Sequence, residues 1–346
     1  MLLSLFENSN VADCYVDLGT ANTLVAVRGK GLVVNEPSVI AYNEIQSGRA
    51  RKVVAVGLEA QQKASLTPGN IISTRPLKES VIADYDITET MLRYFLSRPG
   101  VRSAFLKPRV ITSIPWGLTN VEQEAIRKAV RAAGAREVFL VDEPMVAAIG
   151  ADLPVKAPQG SMVIDIGGGA TEVAVVALAD IVCCEAIRVG GNRMDENIIE
   201  FMRRKKNIII NDAIAENLKV TIGTALPKID VSSCQVQGRD TSSGLTRTVT
   251  VTSEEIGEAI RDSVEQIIEA VRATLEETPP ELLSDLIESG LVLTGGGALV
   301  KNLAKKMEQE IRLPIRIAAD PLTVIARGGE KLLADRELLE KIKLDI

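Results

Sequence analysis

The sequence contains no histidine. Catalytic triads built on histidine, imidazole general bases and histidine-ligated zinc are therefore excluded. Cysteine is sparse: Cys14, Cys183, Cys184 and Cys234 show no C-x-x-C spacing. Two of them are adjacent, so on a strand they point to opposite faces, and reduced cytoplasmic thiols are the expectation. No apolar run approaches the length of a membrane-spanning helix, and no cleavable signal pattern is evident. An excess of basic residues is also missing. Forty Lys and Arg against 46 Asp and Glu leave a net charge of −6, which argues against nucleic acid as a general partner. The length, 346 residues, fits two domains of ordinary size or four subdomains.

What is present is organised around Asp165–Glu172, DIGGGATE. Short, β-branched apolar runs on either side, Met162–Ile164 and Val173–Ala179, predict buried strands. Between them Gly167, Gly168 and Gly169 carry no Cβ, so backbone N–H groups can approach an anion closely. Asp165 ends the first strand, where an Mg²⁺ ion on a phosphate would need an oxygen ligand. A plain Gly-rich hairpin would satisfy this motif alone. The same logic recurs at Asp17–Thr23, DLGTANT, with Gly19, Thr20, Ala21, Asn22 and Thr23 between two further strands. Repetition of one supersecondary unit predicts two similar domains facing each other, their loops clasping one nucleotide. A third glycine turn, Gly295-Gly296-Gly297-Ala298, follows the strand-like Leu291–Leu293.

With these loops the sequence resembles the actin/sugar-kinase/heat-shock-chaperone ATPase superfamily and, within it, the bacterial actin family MreB. The resemblance runs through nearly the whole chain: NEPSVIA (Asn35–Ala41), the segment Thr67–Asp86, DEPMVAAIGADLP (Asp142–Pro154), the Glu216/Lys219 pair and the segment Thr278–Leu299. It implies an α/β, actin-like ATPase fold. Two duplicated α/β domains would each carry a small inserted subdomain, with ATP and Mg²⁺ in the cleft between them. The expected partition is 1–151 plus 321–346 as domain I, with its small subdomain at about 33–76. Domain II would span 152–320, with its small subdomain at about 189–251.

The resemblance also implies roles. Asp17 and Asp165 would organise Mg²⁺, mainly through water; Gly19–Thr23 and Gly167–Ala170 would hold phosphates. Glu216 and Lys219 would hold the ribose, although an i, i+3 Glu/Lys pair is ordinarily a surface ion pair of little worth. Gly295–Ala298 would take the adenosine. Glu143, opening a helix, would orient the attacking water; without the resemblance it is a helix-start carboxylate favoured by the dipole. Ala170 departs from the family's usual Thr, which predicts slow hydrolysis unless Thr171 supplies a hydroxyl or Glu143 suffices. Trp116, the single tryptophan, departs from the small residue usual there.

Apolar Leu2, Leu3, Leu5 and Phe6 precede polar Glu7–Asn10. Many relatives in the family carry a short amphipathic membrane foot here; a disordered start or a small patch docked on the body is the alternative. Phe105 and Leu106 lie among Arg98, Arg102, Lys107 and Arg109. Such a loop suits an interfacial membrane contact, each basic residue near anionic lipid contributing about 1 kcal/mol. Alternatively the pair opens the strand Val110–Ile114 and is buried. Val121 begins a helix at a capping box, Thr119-x-x-Glu122, and in the family this helix lines the contact between antiparallel protofilaments.

Further expectations are local. Asp86 or Thr88 caps a helix through Ser97, Asp212 caps the helix carrying Lys219, and Thr252-x-x-Glu255 opens a long helix with a core stripe from Ile256 to Leu275. Asp320-Pro321 reads as N-cap and first helical position of a helix through Leu333. The expected function is an ATP-dependent filament, itself its main partner, at the inner face of the membrane, directing cell-wall synthesis proteins and rod shape. A small-molecule kinase of the same superfamily would need an acceptor pocket and a general-base Asp, and a monomeric chaperone-like ATPase would need a peptide domain.

Overall fold

A computed structural model describes residues 13–44, 51–66, 71–78, 81–101, 107–227, 229 and 231–344. Leu2, Leu3, Leu5, Phe6, Phe105 and Leu106, the expected membrane contacts, lie outside the described residues. The chain divides into two compact units, Met1–Gly150 with Ile325–Ile346, and Ala151–Val324.

In the first unit, β1 (Cys14–Leu18) is buried on both faces, which is why its apolar run is continuous rather than alternating. It turns back into β2 (Asn22–Val27) and β3 (Gly31–Pro37) as an antiparallel meander. A small sheet follows, of β4 (Ile40–Glu44), β5 (Arg51–Val56) and, after helix α1 (Leu58–Leu66), β6 (Ile72–Thr74). Ala60 of α1 packs on its Val39, Ala41 and Ala55. The short pair β7 (Leu77–Lys78) and β8 (Val81–Ile82) leads into α2 (Tyr85–Leu96). This helix starts one turn earlier than the Thr88 expected from sequence, because Asp84 accepts the Ile87 N–H at 3.2 Å and is the cap. The strand β9 (Arg109–Ile114), helix α3 (Asn120–Ala132), strand β10 (Glu137–Asp142) and helix α4 (Glu143–Gly150) complete the outward path. The capping box at Thr119 and Glu122 is formed, with both reciprocal bonds present.

The second unit repeats the plan. The meander β11 (Ser161–Ile166), β12 (Thr171–Ala177) and β13 (Asp180–Ile187) is followed by α5 (Gly191–Lys206). The strand β14 (Ile208–Ile209) precedes α6 (Asp212–Ile222), whose cap is Asn211 rather than Asp212. The hairpin of β15 (Ser233–Asp240) and β16 (Thr246–Thr252) joins β14 in a small, polar sheet. Next comes α7 (Ser253–Glu277), opened by a complete capping box at Thr252 and Glu255. Its Ile256, Ile260, Val264, Ile267, Ile268 and Val271 are buried in the core, with Leu275 packed at the margin. Each such side chain contributes about 1.5–3 kcal/mol of burial. Helix α8 (Pro280–Ser289), β17 (Leu291–Thr294), a 3₁₀ turn at Gly296–Leu299, α9 (Leu303–Ile311) and β18 (Ile315–Ile317) close the unit. The chain then returns to the first unit through α10 (Val324–Ala334) and α11 (Arg336–Ile342).

Sheet order makes the duplication explicit. In the first unit it is β10-β9-β1-β2-β3 and in the second β13-β12-β11-β17-β18. Reversing one aligns β1, β2 and β3 with β11, β12 and β13, and β9 and β10 with β17 and β18. The meander pairs are antiparallel and the others parallel in both units. The Asp320-Pro321 expectation fails: Asp320 has a left-handed φ of 46°, and the helix begins later, at Val324. The carbonyl of Pro321 is held by the Gly295 N–H at 3.1 Å, which fixes these residues as a turn on the third glycine loop.

Candidate functional site

Asp17 and Asp165 occupy equivalent places, near the C-terminal ends of β1 and β11, and both are buried. In a parallel α/β arrangement that edge is where ligands bind. Glu143 follows β10, which runs parallel to β9 and through it to β1, so Glu143 and the first loop share one edge of their sheet. In the second unit the same edge carries the second loop after β11 and the third after its parallel neighbour β17.

The first loop is held from one side. Gly19 O accepts from the Ser38 hydroxyl at 2.6 Å, and Thr20 O and Ala21 O accept from Arg75 Nη1 at 3.1 and 2.8 Å. Ala21 O also takes the Ser38 N–H at 2.9 Å. Because a trans peptide sets each carbonyl opposite the next N–H, these bonds turn the N–H groups of Thr20, Ala21 and Asn22 to the other side. Thr23 is fully buried, its hydroxyl 2.8 Å from that of Ser38.

The second loop follows the same device with different partners. Gly167 O accepts the Gly191 N–H at 3.0 Å and Gly168 O the Asn192 N–H at 2.8 Å, so the first turn of α5 grips the loop's carbonyls. A Cβ on Gly190 would lie 2.6 Å from Gly167 O, so only glycine permits this contact. Gly167 N–H closes the loop onto Ala170 O at 2.9 Å. Thr171 is not available to replace the hydroxyl missing at Ala170: it is fully buried and donates to Val189 O at 2.6 Å.

Asp165 Oδ1 is buried and has no hydrogen-bond partner. Burial pushes the carboxyl up to about 6, and Glu172, also buried, stands directly opposite on β12. An orphaned carboxylate oxygen beside a phosphate-type loop fits a cation arriving with the ligand. Among the described residues no group of three or more His, Cys, Asp or Glu could hold a metal ion by itself.

The third loop abuts this carboxylate. Gly295 has φ +79° and a Cβ there would lie 2.7 Å from Asp165 Oδ1, so glycine is required on two counts. Gly296 faces Leu322, an exposed leucine of the 320–323 turn. The segment after α6 is tied to the segment after this loop by Ala225 N–H on Lys301 O at 2.8 Å and by Asn302 Nδ2 on Thr224 Oγ1 at 3.0 Å. On α6, Glu216 is exposed. Lys219 is not paired with it: its ammonium donates to Asp195 Oδ2 at 2.8 Å and to Gly191 O at 2.9 Å. Asp165, Gly167–Ala170, Glu216, Lys219 and Gly295–Ala298 thus belong to one unit, and Asp17, Gly19–Thr23 and Glu143 to the other. Arg75 and Asp195 lie outside the glycine loops, and Glu172, the last residue of DIGGGATE, was given no role from sequence. Val121, near the start of α3, is 80% exposed.

The family model for the MreB/Mbl protein matches residues 11–341. The chain belongs to the MreB/Mbl family. It is 48% identical over 334 residues to the cell shape-determining protein MreB of Escherichia coli strain K12, covering 96% of each chain. It is 43% identical over 332 residues to the cell shape-determining protein Mbl of Bacillus subtilis strain 168, covering 96% of this chain and 98% of that one. The crystal structure of MreB 5 of Spiroplasma citri bound to AMPPNP superposes with a TM-score of 0.89 at 34% identity, covering 96% of this chain and 99% of that chain. The fold is that of the actin-like ATPases, as the resemblance implied. Among the described residues no helix is long and apolar enough to cross a membrane.

Proposed function

We propose that the chain binds ATP with Mg²⁺ and assembles with copies of itself into cytoskeletal filaments that govern cell shape from the inner face of the membrane. The observation that carries this is the duplicated sheet bearing an Asp-x-Gly loop at the matching strand end of each unit, in a member of the MreB/Mbl family. The names of its relatives, cell shape-determining proteins, and the AMPPNP held by the Spiroplasma structure support it.

In this reading the N–H groups of Gly19–Thr23 and Gly167–Ala170 bind phosphate oxygens, Glu216 and Lys219 hold the ribose, and Gly295–Ala298 receive the adenosine. Asp17 and Asp165 would hold Mg²⁺, mainly through water, and the ion would offset phosphate charge. Glu143 orients the attacking water. With Ala170 in place of a hydroxyl and Thr171 committed to Val189, hydrolysis is slow and ATP filaments are long-lived. Val121 pairs antiparallel protofilaments, and Leu2, Leu3, Leu5, Phe6, Phe105 and Leu106 touch the membrane, where the filament meets cell-wall synthesis proteins.

Sedimentation with Mg-ATP tests the core of the proposal. A filament former pellets in a nucleotide-dependent way; a chain that stays in the supernatant at every concentration is a kinase or a monomeric binding module instead.

A further inference from the structure

We propose that Asp195 is a positioning residue for the nucleotide, fixing the Lys219 ammonium and tying the ribose contact to the second phosphate loop; this rests on the ribose reading of Lys219. An ammonium has three N–H donors in a tetrahedral fan. Asp195 Oδ2 takes one at 2.8 Å and Gly191 O a second at 2.9 Å, which leaves one direction for a ligand hydroxyl. Without these partners the four-carbon stem of a lysine would keep much of its rotamer freedom, which binding would then have to remove.

The connection to the phosphate loop is short and made of backbone. Gly191 accepts from Lys219 through its carbonyl and donates its N–H to Gly167 O at 3.0 Å. Its neighbour Asn192 donates to Gly168 O at 2.8 Å. A Cβ on Gly191 would lie 3.2 Å from the Lys219 ammonium and one on Gly190 2.8 Å from Gly168 O, so the contacts leave little slack. A shift of the loop on phosphate binding therefore moves Gly191, and with it one of the two acceptors that aim Lys219.

Asp195 is poorly explained as a stabilising residue alone. It is buried, its Oδ1 has no hydrogen-bond partner, and burial lifts its carboxyl to about 6 against the opposing pull of Lys219. A carboxylate with a buried unsatisfied oxygen is costly, and its one ionic partner here is the largely buried Lys219 ammonium. What the carboxylate supplies is a fixed negative charge on the lysine.

The test measures binding of Mg-ATP and of 2′,3′-dideoxy-ATP by calorimetry to the native chain, Asp195→Asn, Lys219→Ala and the double variant, below the assembly concentration. Loss of one charge-assisted contact weakens binding about tenfold. Asp195→Asn and Lys219→Ala should each weaken ATP by about that factor, leave the dideoxy analogue nearly unchanged, and not add in the double variant. Asp195→Ser, smaller than the native side chain, carries the same measurement if the amide does not fold. If Lys219→Ala weakens ATP and the analogue equally, the ribose reading falls and the proposal falls with it. If Lys219→Ala discriminates but the Asp195 variants weaken both ligands equally, or neither, the proposal alone is overturned.

Discussion

Replacing Asp165 by asparagine should stabilise the ligand-free protein while removing its response to Mg-ATP. In the folded chain burial raises this carboxyl from the ordinary aspartate range to about 6, and Oδ1 finds no donor. The native state therefore holds the proton more tightly than the unfolded chain. Stability is highest while the group is protonated, declines as pH rises from about 4 to about 6, and is flat above that. A displacement of about two units is worth about 3 kcal/mol at neutral pH, each unit being about 1.4 kcal/mol. Asparagine has the same shape without the charge, so up to about 3 kcal/mol returns at pH 7.5 and little at pH 4.5. For a unit of this size that is a rise of about 6–12 °C in melting temperature. Thermal unfolding at the two pH values, with and without Mg-ATP, reads both effects. The native chain should gain stability from Mg-ATP and the variant should not. A variant that melts below native at pH 7.5 without ligand, or one that Mg-ATP stabilises as much as native, refutes the assignment.

Val121→Glu places like charges across a two-fold contact; since Val121 is 80% exposed at a helix start, folding stability should change by less than about 0.5 kcal/mol. Electron microscopy should show single protofilaments, and normally paired filaments would rule the contact out. Ala170→Thr should speed phosphate release from filaments, a positioned polar group being worth on the order of 10²-fold, while Glu143→Ala abolishes it. No acceleration in Ala170→Thr would leave the glutamate acting alone. Deleting residues 1–7 and changing Phe105 and Leu106 to Ser should abolish co-sedimentation with anionic liposomes while assembly survives; retained liposome binding excludes those residues as the anchor.

The parts of this fold that could be read from sequence are those specified within a few residues. DLGTANT and DIGGGATE carry their own strands and glycines, and the two capping boxes and the stripe on α7 are set by local spacing. Where reading failed, a distant partner decided. Asp320-Pro321 has the composition of a helix start, yet the Gly295 N–H captures the Pro321 carbonyl and the turn wins. Arg75 clamps a loop 55 residues away, and Asp195 meets a lysine 24 residues on; neither separation matches a helix or strand period. Lys219 is not paired with its i, i+3 neighbour Glu216; its ammonium meets Asp195 on α5 instead. The long-range polar contacts that shape the loops were invisible for the same reason.

The first unit is assembled from two separate stretches of chain, and this sets an order of events during synthesis. The second unit is encoded without interruption and can collapse as soon as it has left the ribosome. The first cannot. Tyr15 packs its ring against the space left by Gly329, Lys331 Nζ reaches Ile149 O at 2.8 Å, and Leu344 N–H bonds Leu140 O at 2.9 Å. Its earliest strands must wait, open on one side, until the last helices are made.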